Sequence, residues 1–122
     1  MLLSSFVQSI KEIDNIVVQG FTDEYEALDW LQANPADLVL VDYKLNDLTG
    51  IEVISNIRNF PEHANTPIIM VTEFKQDSLQ RDAVEAGASD FLRKPVEPLE
   101  CQTRCKTFLE YRELFKKLND TI

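Results

Sequence analysis

Three short apolar, β-branched runs, separated by stretches of helical periodicity, constrain this chain more than any other feature. Leu38-Val39-Leu40-Val41 ends in Asp42, Pro67-Ile68-Ile69-Met70-Val71 ends in Thr72, and Asp90-Phe91-Leu92-Arg93 ends in Lys94 before Pro95. Apolar runs of this length read as strands buried on both faces, the mark of a parallel sheet covered by helices on either side. Sheets of that kind keep their chemistry at the C-terminal ends of the strands. The chain thus delivers a carboxylate, a hydroxyl and an amine to one edge, the set that a phosphoryl-accepting carboxylate needs.

Each interval between these residues holds one helix and one strand, which is the size of a crossover unit. Right-handed crossovers keep such strand ends on the same edge of the sheet. Any one of the three alone would read as an ordinary strand end or a solvated surface amine; three together favour a site. Elsewhere, Leu3, Phe6, Val7, Ile10 and Ile13 predict a helix over 2–13, and Ile16-Val17-Val18 a short strand within 15–20. Asp23 can cap a helix with Glu26 in its first turn, stopped by Asn34-Pro35. Further helices are predicted on Ile51, Ile54 and Ile57, and through Leu79, Ala83 and Ala86 with Gly87 as C-cap. A last helix runs from Pro98 to about Leu118, with Pro98 suited to a first turn.

Alternating strands and helices predict an α/β fold with a doubly wound parallel sheet. Four strands stand beside five helices, however, and the chain opens with a helix, so the pattern is one strand short at the front.

A length of 122 residues suits one domain. With 21 acidic and 12 basic residues the net charge is −9, which disfavours nucleic-acid phosphate as a direct partner. No run approaches the length of a membrane span, and Met1–Phe6 lacks the basic flank and cleavage site of a secretory signal. Cys101 and Cys105 are four apart on a helical pattern, where a bridge is disfavoured, so reduced thiols and a cytoplasmic setting are expected. Two such ligands do not make a zinc site. His63, the only histidine, is expected at the surface beside Pro61. Three glycines cannot build a Walker loop or a dinucleotide fingerprint, and no Gly-x-Ser-x-Gly elbow is present.

The matching stretches Asp37-Leu-Val-Leu-Val-Asp42 with Gly50 following, Pro67-Ile-Ile-Met-Val-Thr72, and Ala86-Gly-Ala-Ser-Asp-Phe-Leu-Arg-Lys94-Pro95 resemble the receiver domain of two-component response regulators. The likeness runs from Leu2 to about Arg112. It implies a flavodoxin-like fold in which Asp42 is the phosphoacceptor, Thr72 the switch hydroxyl, Lys94 the phosphate-pairing amine and Phe91 the switch aromatic. Val41-Asp42-Tyr43, Pro95-Val96-Glu97, Glu100-Cys101, Arg104-Cys105 and Leu109 are most similar to receivers of HD-GYP cyclic-di-GMP phosphodiesterases. The implied partners are a sensor histidine kinase or phosphotransfer protein and an HD-GYP output domain outside this chain.

The largest departure is at the front of the chain. A receiver's first strand ends in an acidic pair that holds Mg²⁺, and alignment leaves that strand before Met1. Glu12 and Asp14 fall at the far end of the first helix and cannot substitute. Asp42 and the Lys44 backbone carbonyl remain as metal ligands, so Mg²⁺ binding is expected to be weak or absent. The missing strand would lie between the Ile16 and Leu40 strands, leaving unpaired backbone unless the strands close up or another chain fills the gap. Either upstream sequence supplies it, which the intact downstream elements favour, or the chain is a degenerate, dimeric receiver. Residues 1–122 then form one N-terminally truncated receiver domain.

Smaller departures tune the site. Lys44 is expected to pair with unmodified Asp42, Asn46 stands where the family usually has Pro, and Thr49 where it often has Asp. Glu73 is bulky beside the switch hydroxyl. Lys44 and Phe74 flank the line of water attack, which predicts a long-lived phosphoryl group. Phe108, Tyr111, Phe115 and Leu118 carry an apolar stripe past the sheet, either curling over the core or forming a dimer seam or a rod to an output domain. Homodimerisation through that helix, or by strand exchange, is a further expectation. Three functions follow: a phosphoryl-accepting switch with no small-molecule turnover, a phosphorylation-incompetent pseudo-receiver that binds partners, and, with least support, a small α/β enzyme using Asp42.

Overall fold

The computed structural model describes residues 10, 12, 13, 15–74 and 77–120; the helix predicted over 2–13 lies mostly outside them. Three strands, β1 (Val39–Asp42), β2 (Ile68–Thr72) and β3 (Asp90–Arg93), alternate with helices α1 (Glu24–Ala33), α2 (Gly50–Arg58), α3 (Asp77–Ala86) and α4 (Pro98–Asp120), with a 3₁₀ turn at Pro61–His63. The sheet is parallel throughout, in the order β1-β2-β3, with Asp42 opposite Val71 and Thr72 opposite Arg93.

Strand alternation divides the core in two. Leu40, Ile69, Val71 and Leu92 face α4 and meet Cys101 and Cys105, while Val41, Ile68 and Met70 face the other way and meet Val53, Ile54 and Ile57 of α2 and Leu79 and Ala83 of α3. Every residue of β2 is buried, as a strand covered on both faces must be.

Local chemistry sets the boundaries. Asp23 caps α1, its carboxylate accepting from the Tyr25 and Glu26 amides at 2.7 and 3.3 Å. Thr49 and Glu52 form a reciprocal capping box on α2. Gly87 closes α3 at φ 118° with its amide bonded to the Ala83 carbonyl, a conformation that favours glycine.

Residues 16–20 do not form the predicted strand. Ile16 and Val18 are half-buried and Val17 is 97% exposed, but a strand needs a hydrogen-bonded neighbour and this segment has none among the described residues. A cavity of about 810 Å³ separates it from β1, lined by Ile16, Val18, Trp30, Leu38, Leu40 and Arg112 among others. The Val39 and Tyr43 amides donate to β2, at the Pro67 and Val71 carbonyls. Alternation turns the intervening backbone of Leu40 and Asp42 toward the cavity. The gap anticipated between the Ile16 and Leu40 segments therefore stays open among the described residues.

His63 is buried, not at the surface as expected. Its ring bridges the Leu31 and Asn34 carbonyls through Nε2 at 2.7 and 3.0 Å and meets Thr66 Oγ1 through Nδ1 at 3.1 Å. These partners assign the proton to Nε2. The imidazole satisfies two carbonyls at the C-terminal end of α1, where no further helical amide can reach them.

Candidate functional site

Asp42 ends β1 and is 6% exposed, because Gly50 and the start of α2 close directly over it. A Cβ on Gly50 would lie 2.5 Å from the Asp42 carbonyl oxygen and 2.9 Å from Tyr43 Cα, so only glycine permits this approach. The Gly50 amide donates to the Tyr43 carbonyl at 2.8 Å, and Lys44 bridges to Thr49, closing the loop after β1 into a tight bend.

Lys94 follows β3 and reaches back across the sheet edge, its Nζ 2.8 Å from Asp42 Oδ1. The ammonium is close enough for a hydrogen bond but not aligned for one, so the buried Oδ1 has an ionic partner and no hydrogen bond. The pairing of unmodified Asp42 with Lys44 is not observed. Lys44 is exposed and lies instead over the Phe74 ring, 5.7 Å from its centroid, while Phe74 packs edge-on against Tyr43. Lys94 prevails because its strand end points along the same edge as Asp42, whereas the bend after β1 carries Lys44 away.

Thr72 ends β2, between the other two strand ends, and is 5% exposed. Its Oγ1 accepts the Phe74 amide at 3.1 Å, so the hydroxyl currently braces the start of its own loop. Phe91 is half-buried against the cluster beneath α2 and α3. The Phe91 carbonyl accepts from Arg104 Nη1 at 3.0 Å, which also pairs with Asp90 at 2.6 Å and so ties β3 to α4.

The donors at the strand ends do not, among the described residues, complete the near-octahedral oxygen ligation that Mg²⁺ needs. Among the described residues no group of three or more acidic, histidine or cysteine side chains could hold a metal ion. Asp42 is, among the described residues, the one carboxylate that closes a strand at its C-terminal end, and an ammonium already faces its buried oxygen. Glu12 accepts from Gln102 on α4 at 2.8 Å, and Asp14 lies outside the described residues.

Two buried polar anchors, one beside the site and one at the far end of the sheet, carried no sequence signal. Glu24, 2% exposed, reaches from α1 to the amides of Asn46 and Asp47 at 3.0 and 3.4 Å. Arg58 donates to the Gly87, His63 and Thr66 carbonyls and braces the opposite end of the sheet; burial lowers its pKa from the ordinary guanidinium value. Both contacts join segments distant in sequence, where periodicity is silent.

Comparison with known proteins agrees with this architecture. The family model of the response regulator receiver domain matches residues 1–106. The cyclic di-GMP phosphodiesterase response regulator RpfG of Xanthomonas campestris pv. campestris is 38% identical over 79% of this chain. The chain spans 25% of that relative's length. A CheY-like receiver domain protein from Methanospirillum hungatei superposes with a TM-score of 0.80 at 25% identity, covering 89% of this chain and 85% of that one. The receiver domain of a Pseudomonas aeruginosa sensor histidine kinase, solved with a magnesium ion in its active-site cleft, superposes at 0.74 and 23% identity, covering 87% and 84%. The chain belongs to the response regulator receiver domains of two-component signalling, in their flavodoxin-like parallel fold.

Proposed function

We propose that Asp42 accepts a phosphoryl group from a phosphohistidine of a sensor kinase or phosphotransfer protein, and that the modification changes which surface meets a partner or output domain. The observation that carries this reading is the ion pair between Lys94 Nζ and Asp42 Oδ1 at 2.8 Å, formed at the C-terminal edge of a parallel sheet. A carboxylate oxygen of Asp42 attacks phosphorus, the P–N bond of the donor breaks, and the departing imidazole nitrogen takes a proton from water. Lys94 offsets the negative charge that gathers on the transferring group.

Turning the Thr72 hydroxyl onto the new phosphoryl oxygens would give up its bond to the Phe74 amide and draw the start of that loop inward. Phe91, half-buried beside it, would then repack toward the vacated space. The modification biases two packings of one surface and turns over no small molecule. By analogy with RpfG, the output under control is a cyclic-di-GMP phosphodiesterase domain, and the setting is the cytoplasm.

A second reading is a pseudo-receiver that binds partners without phosphorylation. It draws on the incomplete donor set for Mg²⁺, the open edge of β1 and the exposed stripe of Tyr111, Leu114 and Leu118 on α4, where a second copy could pair by strand exchange or helix packing. Intact-mass spectrometry after treatment with acetyl phosphate or phosphoramidate, with and without Mg²⁺, separates the two. A gain of one phosphoryl group that vanishes in Asp42→Asn supports the acceptor; no gain at any Mg²⁺ concentration leaves the binding module.

A further inference from the structure

Glu24 opens α1 one residue after its cap and is 2% exposed. A carboxylate so buried needs compensation. No cation pairs with it among the described residues; its Oε2 accepts the backbone amides of Asn46 at 3.0 Å and Asp47 at 3.4 Å. The first turn of α1 adds the favourable field of the helix N-terminus. Both amides sit at the tip of the bend between Asp42 and Gly50. The base of that bend is fixed by the Gly50 amide on the Tyr43 carbonyl and by the Lys44–Thr49 bridge. Leu45 and Leu48 pack into the core on either side, and Glu24 hydrogen-bonds the tip itself from outside the loop.

We propose that Glu24 is a positioning residue for the acceptor: its buried carboxylate pins residues 46 and 47, and so keeps the Lys44 peptide and the chain leaving Asp42 in one place. The proposal rests on the reading of Asp42 as phosphoacceptor. A carboxylate oxygen accepting from two adjacent amides is a local clamp, tighter at Asn46 than at Asp47, and the part-buried setting limits competition from water. Asn46 supplies one of those amides, which proline at that position would lack.

The test combines amide hydrogen exchange with phosphorylation kinetics in Glu24→Ala and Glu24→Gln. In Glu24→Ala, exchange at Asn46 and Asp47 should rise at least about tenfold, the scale of a lost charge-assisted hydrogen bond. The maximal rate of phosphorylation by acetyl phosphate should fall several-fold, with half-saturation by the donor unchanged. Glu24→Gln keeps an accepting carbonyl and should hold both readouts within about threefold. If Glu24 only stabilises α1, Glu24→Ala will lower the melting temperature while exchange at 46 and 47, corrected for global stability, and phosphorylation per folded molecule stay at wild-type values. That outcome overturns the proposal. Wild-type protein that accepts no phosphoryl group overturns the acceptor reading and this role with it, a result distinct from unchanged exchange in a wild type that is phosphorylated.

Discussion

Asp42 and Lys94 form an ion pair of 2.8 Å although they leave the two outer strands of the sheet, with Thr72 ending the strand between them. The contact spans the whole sheet edge, and the order β1-β2-β3 together with parallel direction creates it. Asp42 is nearly buried, so the ammonium also neutralises a carboxylate with little access to water.

Replacing Lys94 should therefore affect chemistry more than folding. Lys94 is partly solvated, so the stability cost of Lys94→Met is modest. The rate of acyl-phosphate formation on Asp42 should drop on the order of 10²-fold, the usual effect of removing a positioned charge-stabilising donor. Time-resolved mass spectrometry with acetyl phosphate measures this. Equal rates in the variant and the wild type would remove Lys94 from the phosphoryl-transfer role.

Gly50→Ala should destabilise the fold by about 2–3 kcal/mol, toward the upper end of overpacking costs. The added methyl meets backbone atoms of Asp42 and Tyr43 at 2.5 and 2.9 Å, which cannot move aside as a flexible side chain would. Urea unfolding followed by circular dichroism gives the value. A midpoint matching wild type would mean that α2 tilts away from β1 at little cost.

The cysteines predict loss of stability at alkaline pH. Both are fully buried and free on one face of α4. The hydrogen bond between them lowers the Cys101 pKa and, with burial, raises that of Cys105 far above its ordinary value of 9.0. Unfolding above pH 9 thus releases a proton that the folded state retains on Cys105. A raised folded pKa contributes stability below the unfolded value and loses it as pH rises, so unfolding midpoints should fall between pH 9 and 10.5 with a slope approaching one proton. The lowered Cys101 acts below pH 9, where it adds stability as pH rises, so it does not offset the fall above that value. Urea titrations across that range test it, and Cys105→Ala should flatten the slope.

Lys44 lies over the Phe74 ring, which packs edge-on against Tyr43 next to Asp42, and the two side chains are expected to hinder water that approaches a phosphoryl group there. The acyl phosphate should consequently be long-lived, and Phe74→Ala should shorten its half-life several-fold by opening that path to water. Acid-quenched samples after removal of the phosphodonor give the half-life. Rapid hydrolysis in the wild type, or no change in Phe74→Ala, would contradict this.

What the sequence by itself determined is the local order: strand against helix, the caps at Asp23 and Gly87, the first turn at Pro98, and the three polar residues at the ends of apolar runs. These follow from periodicity and backbone preference within a few residues, and right-handed crossovers carry them to one edge. The tertiary structure alone decided the long-range polar contacts. Asp42 pairs with Lys94 and not the nearer Lys44, the His63 ring is spent on carbonyls at the end of α1, and Glu24 clamps a loop that follows β1. Ile16-Val17-Val18 has the composition of a strand yet forms none, because pairing belongs to the neighbour as much as to the segment. Hydrogen bonds across the fold depend on what stands opposite in space, and no interval along the chain encodes that.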